Sequence, residues 1–513
     1  MHPLNRYRHP PDFSSLAKSY PPLEEYVQNT DHGSIIDFHD SASLRTLTEA
    51  LLHNDWQYVI SIREDRLCPT IANRLDYLLR VLELENYLPS THSSPLRVVD
   101  IGTGHVAIYP LILHRLRPQA KIYGTEVDSV SFEHASETLR KNEIEGSVKL
   151  MLRNEKDMIL PLNEIGEVDF IICNPPFFGS MNEMEEGQAM KKLGAYGAPT
   201  GAQVELITPG GEVEFVRRMI DESLQFGEKC SWYTSLIGKY SSLSPLVSHL
   251  RSQGCTNYLV QSFKPSRTVR WILAWSHTRI RLPDSITRPS HLIGGTSFTR
   301  LLPLSNTFSH VPRPPIPIYE LRERVMIVLR DIHLLEVPEL SYDHTQRKSE
   351  TNLSVSTKNL NFTFIHSGNE VNDMRSKDST RGRDQMDQEV RTRDRSSNWE
   401  IEEIVLEPRI NTWSRHARRH GVTNSTEVTE PLFRARLIFE SSPRSDTEEI
   451  TQVRNTNGGL RTEEITRVRS TGSGLRLEWL EGRDRTIVES LWKFILSKAQ
   501  LLRSADSPQS APQ

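Results

Sequence analysis

Between Leu96 and Cys173 short apolar runs alternate with stretches of helical period, and few folds accept that order. "LRVVDIGTG" (Leu96 to Gly104), "KIYGTEVD" (Lys121 to Asp128), "VKLMLRN" (Val148 to Asn154) and "VDFIIC" (Val168 to Cys173) read as strands. "VAIYPLILHRL" and "SVSFEHASETLRKNE", which separate the first three, space their apolar residues three and four apart. Strands joined by helices of this length predict βαβ units, hence a mostly parallel sheet with helices on both faces. Helical period also marks "LRTLTEALL" and "LDYLLRVLELENYL" upstream and "GEVEFVRRMIDESLQF" downstream, while "CSWYTSLIG" and "TVRWILAWSH" read as later strands.

The ends of these strands indicate what the sheet binds. "VVDIGTGHVAIYP" is a buried strand ending in Asp100, followed by Gly102 and Gly104 and then a helix. Glycine lets the backbone approach a ligand and take a positive φ, as a nucleoside cofactor requires. A dinucleotide loop wants a third glycine, and Ala107 stands there, which disfavours a pyrophosphate. The next strand ends in Glu126, 24 residues beyond Gly102, where a carboxylate can accept from both ribose hydroxyls. Glycine loop plus acid without a phosphate site describes S-adenosylmethionine. The same residues also occur as ordinary βα turn residues.

"VDFIICNPPFFGS" then becomes the fourth strand, delivering Asn174, Pro175, Pro176 and Phe177 to the same edge of the sheet. An asparagine oxygen accepts from an exocyclic NH2, and Pro175 restricts the backbone around it, turning carbonyls toward the pocket. Two acceptors on one amino group aim its nitrogen lone pair at a methyl donor, which is catalysis by positioning. Phe177 can stack on a base taken out of its strand, a contact worth about 1–3 kcal/mol.

A length of 513 residues exceeds one ordinary domain, and an apolar share of 36% is low for a wholly globular chain. After about Arg281 the composition turns to Pro, Ser and Thr, and residues 341–397 are too polar to pack a core. The expected layout is an arm over 1–43, a catalytic domain over 44–285, a linker over 286–315, a smaller α+β domain over 316–503 interrupted by a disordered insert at 341–397, and a tail at 504–513. "TEEITQVRNTNGGLR" (Thr447 to Arg461) is followed by the near-copy "TEEITRVRSTGSGLR" (Thr462 to Arg476), too short a repeat for a solenoid and expected in a surface connection. The formal charge of -4 excludes a uniformly basic chain, yet Lys264, Arg267, Arg270, Arg279 and Arg281 follow one another with no acid between Gln261 and Arg281. Such a run meets phosphate or is a solvated charged face. Cys68, Cys173, Cys230 and Cys255 form no CxxC pair, which points to a reducing compartment and to neither disulfides nor zinc. With no long apolar segment, a soluble intracellular protein without membrane contact is expected.

"DIGTG", "TEVD" and "NPPFF" resemble class I S-adenosylmethionine-dependent methyltransferases that act on amino nitrogens. With "NRYRHPPDFSSLAKSYP", "RLCPTIANRLDYL", "GGEVEFVRRMIDESL", "WYTSLIGKYSSLSPL" and "RTVRWILAWS", residues Asn5 to Ser276 are similar to the U6 snRNA adenosine N6-methyltransferase family, related to bacterial 23S rRNA adenine N6-methyltransferases. "LFRARLIF" and "LRLEWLEGRDRTIVESLWKFILSKA" look, more distantly, like its second RNA-binding domain. The resemblance implies that Arg74, Asp100, Gly102, Gly104, Glu126, Asp157 and Asn174 meet the cofactor, while Asn174, Pro175, Pro176 and Phe177 hold the adenine. Asp157 stands where the family has threonine, and Lys156 matches a lysine on a loop that can occlude the pocket. Implied RNA contacts are Arg6, Arg8, Pro10, Pro11, Asp12, Phe13, Lys156, Lys191, Lys192, Lys239, Arg267, Arg270 and Trp271. No metal is implied, and the expected location is the nucleus, with the cytoplasm second. A protein glutamine N5-methyltransferase and an RNA-binding protein with weak catalysis are the competing readings; the basic rim disfavours the first and intact Gly102, Glu126 and Asn174 the second.

Overall fold

The computed structural model describes residues 1–89, 95–176, 178–181, 207–264, 268–289, 295–332, 334, 354–357, 360–363, 402–414, 430–441 and 473–502. The chain divides into two compact units, 1–305 and 306–513.

The first unit carries a hairpin of β1 (Val27–Thr30) and β2 (Gly33–Ile36) near its start and is built on a seven-stranded sheet. Its strands are β3 (Arg97–Ile101), β4 (Lys121–Glu126), β5 (Val148–Leu152), β6 (Val168–Cys173), β7 (Cys230–Ile237), β8 (Tyr258–Phe263) and β9 (Arg270–Trp275). They lie in the order β5-β4-β3-β6-β7-β9-β8, with β9 antiparallel to both neighbours and the other pairs parallel. Both faces are covered, so adjacent residues of one strand enter opposite cores. Val98, Phe170 and Ile172 pack with the helices Ile71–Leu82, Ile108–Leu116 and Ser129–Lys141. Val99, Ile171 and Cys173 pack with Gly211–Phe226 and Tyr240–Ser252. This double burial explains why β6 is apolar throughout rather than alternating. The expected α/β fold is what forms.

The chain moves outward from β3 through β4 to β5, then returns to β6 on the other side of β3. Open sheets bind ligands at such a reversal, beyond the carboxyl ends of the strands. The glycine loop after β3 and Asn174 after β6 both stand there.

Residues 1–43 are corrected from an arm to part of this unit. Phe13, Leu16, Leu23 and Ile36 share one apolar cluster with Leu47 and Ala50 of the helix Ser41–Trp56, across the expected boundary. Fully buried Asp76 also accepts from the His2 N–H at 2.5 Å and from Asn5 Nδ2 at 3.2 Å, fixing the chain's start to the helix Ile71–Leu82. The linker at 286–315 is likewise divided. Phe298 and Leu302 are buried in the first unit's core, whereas β10 (Thr307–His310) belongs to the second unit's sheet.

That second sheet runs β10-β15-β14-β13, all antiparallel, with β13 (Glu402–Leu406), β14 (Phe433–Ser441) and β15 (Ser473–Gly482). Phe433, Ala435, Leu437 and Phe439 alternate inward onto the helices Ile318–Asp331 and Arg485–Lys498. The other face carries ion pairs: Arg434 with Glu407 and Glu481, Arg436 with Glu403 and Glu478, Arg476 with Glu440 and Glu478. Ser473 to Arg476, the end of the duplicated segment, lie within β15, and Leu475 is buried; the rest of the duplication lies outside the described residues. Inside the insert expected to lack structure, β11 (Ser354–Thr357) and β12 (Leu360–Thr363) pair as a hairpin.

Candidate active site at the carboxyl edge of the sheet

Gly102 and Gly104 adopt φ of +68° and +69°, left-handed values that side chains with a Cβ rarely take. Space is not the constraint, since a Cβ at either position would meet nothing within 4 Å. The loop they form is stitched to the end of β4. Gly102 N–H donates to Thr125 Oγ1 at 3.4 Å, Thr103 N–H to the Thr125 carbonyl at 2.8 Å, and Gly104 N–H to Glu126 Oε2 at 2.8 Å.

Glu126 is the joint between loop and strand. Its Oε1 accepts from the N–H groups of Val127 at 2.8 Å and Asp128 at 3.0 Å. Burial pushes its carboxyl up in pKa, and the three backbone donors oppose that shift. A carboxylate offers about four lone-pair positions, so Glu126 keeps one on the Oε2 side for a hydroxyl.

Asp100 requires a correction. It is fully buried and does not line the cavity; it lies behind the glycine loop. Burial pushes its carboxyl up to about 7, with the nearby Thr103 hydroxyl and the charge of Arg74 opposing and the charge of Glu126 reinforcing. Neither carboxylate oxygen meets a partner within ordinary hydrogen-bond geometry among the described residues. Asp100 therefore stands behind the loop rather than in contact with the cavity.

On the other side of the reversal, β6 is fixed at its last residue. Cys173 N–H donates to the Tyr77 hydroxyl at 3.3 Å, which is bound in turn to Thr234 Oγ1 at 2.7 Å. Asn174 follows at once, its Oδ1 buried and without a hydrogen-bond partner among the described residues. A buried acceptor left open costs about 1–3 kcal/mol, so an amide oxygen held this way is prepared for a donor from outside the chain. The cavity of about 380 Å³ beside it, within the size range of small-molecule sites, is lined by Arg74, Gly102, Gly104, Glu126, Asp157, Asn174, Pro175 and Pro176. Phe177 lies outside the described residues.

Residues 1–279 match a family model described as "RNA methyltransferase". The chain belongs to this RNA methyltransferase family. It is 37% identical over 286 residues to RNA N(6)-adenosine-methyltransferase mettl16 of Xenopus laevis, covering 54% of this chain and 52% of that one. It is also 34% identical over 287 residues to U6 small nuclear RNA (adenine-(43)-N(6))-methyltransferase of Schizosaccharomyces pombe, covering 55% and 71%. Among solved structures, the hMettl16 catalytic domain in complex with the MAT2A 3'UTR hairpin 1 aligns at 36% identity and a TM-score of 0.50, covering 54% of this chain and 95% of that one. The match spans about half the length of the vertebrate relatives.

Within this family frame, residues that sequence reasoning passed over also line the cavity. Tyr109 faces Arg74, whose guanidinium lies 6.0 Å from its ring centroid; "VAIYP" had shown it only as an apolar helical position. Arg153, paired with Asp157 and Glu164, and Arg218, paired with Glu222, stand on the rim. Arg153 directly follows β5, a position the strand-end argument could have singled out. Asp157 lines the cavity as expected, and the Asn154 N–H at 2.8 Å, with Arg153 beside it, holds its carboxyl below the usual range. Lys156 is exposed next to it.

The expected RNA contacts divide. Lys239, Arg270 and Trp271 come together near the NPPF turn: the Lys239 ammonium lies 5.6 Å from the Phe178 ring centroid, and the Trp271 ring 5.6 Å from that of Tyr240, which is 41% exposed. Burial lowers the pKa of the Arg270 guanidinium, the nearby charge of Arg74 lowers it further, and Glu212 opposes. Phe13 is corrected: its ring is 8% exposed and packs in the core, so it is not offered to a base. Asp12 caps the helix Phe13–Ser19 through the Ser14 N–H, a use of its carboxylate unrelated to RNA. Arg6 pairs with Asp55 at 3.3 Å and covers Trp56. Arg8 and Pro10 are exposed and Pro11 is half-buried. Lys191, Lys192 and Arg267 lie outside the described residues.

Proposed function

We propose that this chain transfers a methyl group from S-adenosyl-L-methionine to the N6 amine of an adenosine in structured RNA, with U6 snRNA as the substrate and the nucleus as the location. The observation that carries the reading is Asn174 Oδ1, buried and without a hydrogen-bond partner among the described residues, in the cavity that Gly102, Gly104 and Glu126 also line. The U6 snRNA name of the Schizosaccharomyces pombe relative and the RNA hairpin in the hMettl16 structure support the choice of RNA, and a small nuclear RNA supports the location.

The residues fit the cofactor. The two positive-φ glycines allow close approach, Glu126 retains an acceptor for a ribose hydroxyl, and the positive charge of Arg74 suits a carboxylate. When bound, the cofactor supplies a methyl group activated on a sulfonium. Asn174 Oδ1 accepts from the adenine N6–H, and the chain at Pro175, stiff in φ, offers a carbonyl for the second hydrogen. Held by both hydrogens, the amine would present its lone pair to that methyl group, so that the bond from methyl to sulfur would break as the new C–N bond forms and the surplus N6 proton would pass to solvent. Cys173 takes no part, because burial pushes its thiol far above the usual range and keeps it protonated.

Incubation with methyl-labelled S-adenosylmethionine and transcribed U6 snRNA, followed by nucleoside analysis, should yield labelled N6-methyladenosine. Label appearing in protein instead, or RNA bound without methylation, would replace this reading with one of its competitors.

A further inference from the structure

Glu212 is the second residue of the helix Gly211–Phe226 and only 2% exposed. Its carboxylate turns to the segment after β7, where Oε2 accepts from the Gly238 N–H at 2.7 Å. Oε1 accepts from the Lys239 N–H at 3.0 Å and from Ser242 Oγ at 2.5 Å. One buried anion thus closes three donors into a tight loop, and such charge-assisted bonds are stronger than neutral ones.

The loop's other contacts give this a direction. Lys239 extends from it over the Phe178 ring, two residues past Pro176. Phe178 is itself tied back to the base of the Glu212 helix: its carbonyl accepts from Thr208 N–H at 2.9 Å, and the Thr208 carbonyl from Gly211 N–H at 2.8 Å. Gly211, at φ +64°, comes so near that a Cβ there would lie 3.2 Å from the Gly179 nitrogen. The catalytic turn, the Gly238–Ser242 loop and the start of this helix therefore form one packed unit. The charge of the same carboxylate also reaches Arg270, where it opposes the lowering of the guanidinium's pKa by burial and by Arg74.

We infer that Glu212 is a positioning residue for RNA: its carboxylate holds the Gly238–Ser242 loop and so sets Lys239 over Phe178, where this cation meets the backbone of the strand carrying the target adenosine. This rests on the proposed RNA methylation. A buried acid that merely stabilised the helix would affect cofactor and RNA alike; a positioning acid affects RNA alone.

Full-length wild type, Glu212→Gln, Ser242→Ala, Lys239→Ala and Glu212→Gln/Lys239→Ala are compared for affinity to U6 snRNA across a salt series, for S-adenosylmethionine affinity by calorimetry, and for steady-state kinetics. Glu212→Gln keeps the side chain's size but turns an NH2 toward backbone donors and removes the charge. The expected result is a tenfold or greater rise in KM for RNA with a shallower salt slope, unchanged cofactor affinity, and a double variant no worse than Glu212→Gln alone. Ser242→Ala, which keeps the charge and removes one donor, should raise KM about two- to fivefold and decides the matter if Glu212→Gln fails to fold. Wild-type KM and salt slope in the folded variants, or fully additive effects of Glu212→Gln and Lys239→Ala, would overturn the inference. A wild type that binds cofactor but no RNA would overturn the proposed function beneath it.

Discussion

Glu126 Oε2 lies 2.8 Å from the backbone nitrogen of Gly104, so the acid at the end of β4 holds the glycine loop at the end of β3. One carboxylate thus shapes the loop and faces the cavity. Glu126→Gln exchanges one acceptor oxygen for a donor and removes the charge. A hydrogen bond to a charged group is worth about 1.5–3 kcal/mol, so S-adenosylmethionine affinity should fall roughly ten- to hundredfold, read by calorimetry. An unchanged affinity would show that the acid only braces the loop.

Asn174→Ala should separate chemistry from cofactor binding. The substitution removes the buried Oδ1, which has no hydrogen-bond partner among the described residues, while β6 stays fixed through Cys173 and Tyr77. Methylation of U6 snRNA should drop by about a hundredfold or more, the scale of losing one oriented polar group from a transition state. S-adenosylmethionine affinity should change less than tenfold; a matched loss of both would make Asn174 a cofactor ligand first.

Asp100 predicts a pH dependence of stability. Burial raises its folded pKa from the ordinary carboxylate value of about 4 up to about 7, so the folded state binds more protons than the unfolded state between those values. Stability from this group is greatest below about pH 4 and declines as pH rises through 7. Asp100→Asn removes that dependence. Melting temperatures of wild type and Asp100→Asn, measured between pH 5 and 8, should diverge in favour of the variant at the alkaline end; parallel curves would mean that the carboxylate ionises freely in place.

Much of this architecture was legible in the sequence. β6 stood out because burial on both faces demands an unbroken apolar run, and Asn174 stood out because two prolines cannot continue a ladder. β8 escaped, since "NYLVQSF" mixes polar and apolar residues and has β9 inserted between it and β7. Glu212 read as an ordinary helical acid because its partners, Gly238 and Ser242, lie 26 and 30 residues away and only the closed fold brings them near. Phe13 misled for a related reason: an aromatic beside prolines looks exposed until Leu47 and Ala50 are packed against it. Local chemistry was visible, and long-range pairing was not.

Gly211→Ala tests the packing behind the catalytic turn. Left-handed backbone at φ +64° costs a residue with a Cβ about 1–2 kcal/mol, and the added carbon would press on the Gly179 nitrogen at 3.2 Å. Denaturant melts should show a loss of at least that size in the transition reporting the first unit. Because the contact is backbone to backbone, the turn must shift, and kcat should fall even where the protein remains folded. A variant with wild-type stability and kcat would mean that the helix start and the turn are not mechanically joined.

Arg270 tests how RNA is gripped. Two guanidinium groups, Arg270 and Arg74, influence one another in a partly buried setting where Glu212 is the acid opposing them at Arg270. Bringing a phosphate there relieves the repulsion, whereas a solvated charged face would gain little. Arg270→Ala should therefore weaken U6 snRNA binding by roughly tenfold at low salt and reduce the slope of log K against log salt by about one. Affinity for S-adenosylmethionine should change less than tenfold, since Arg74, which lines the cavity, is left in place and Arg270 does not line it. If the slope stays at its wild-type value while affinity falls, Arg270 acts through packing against the turn rather than through a phosphate.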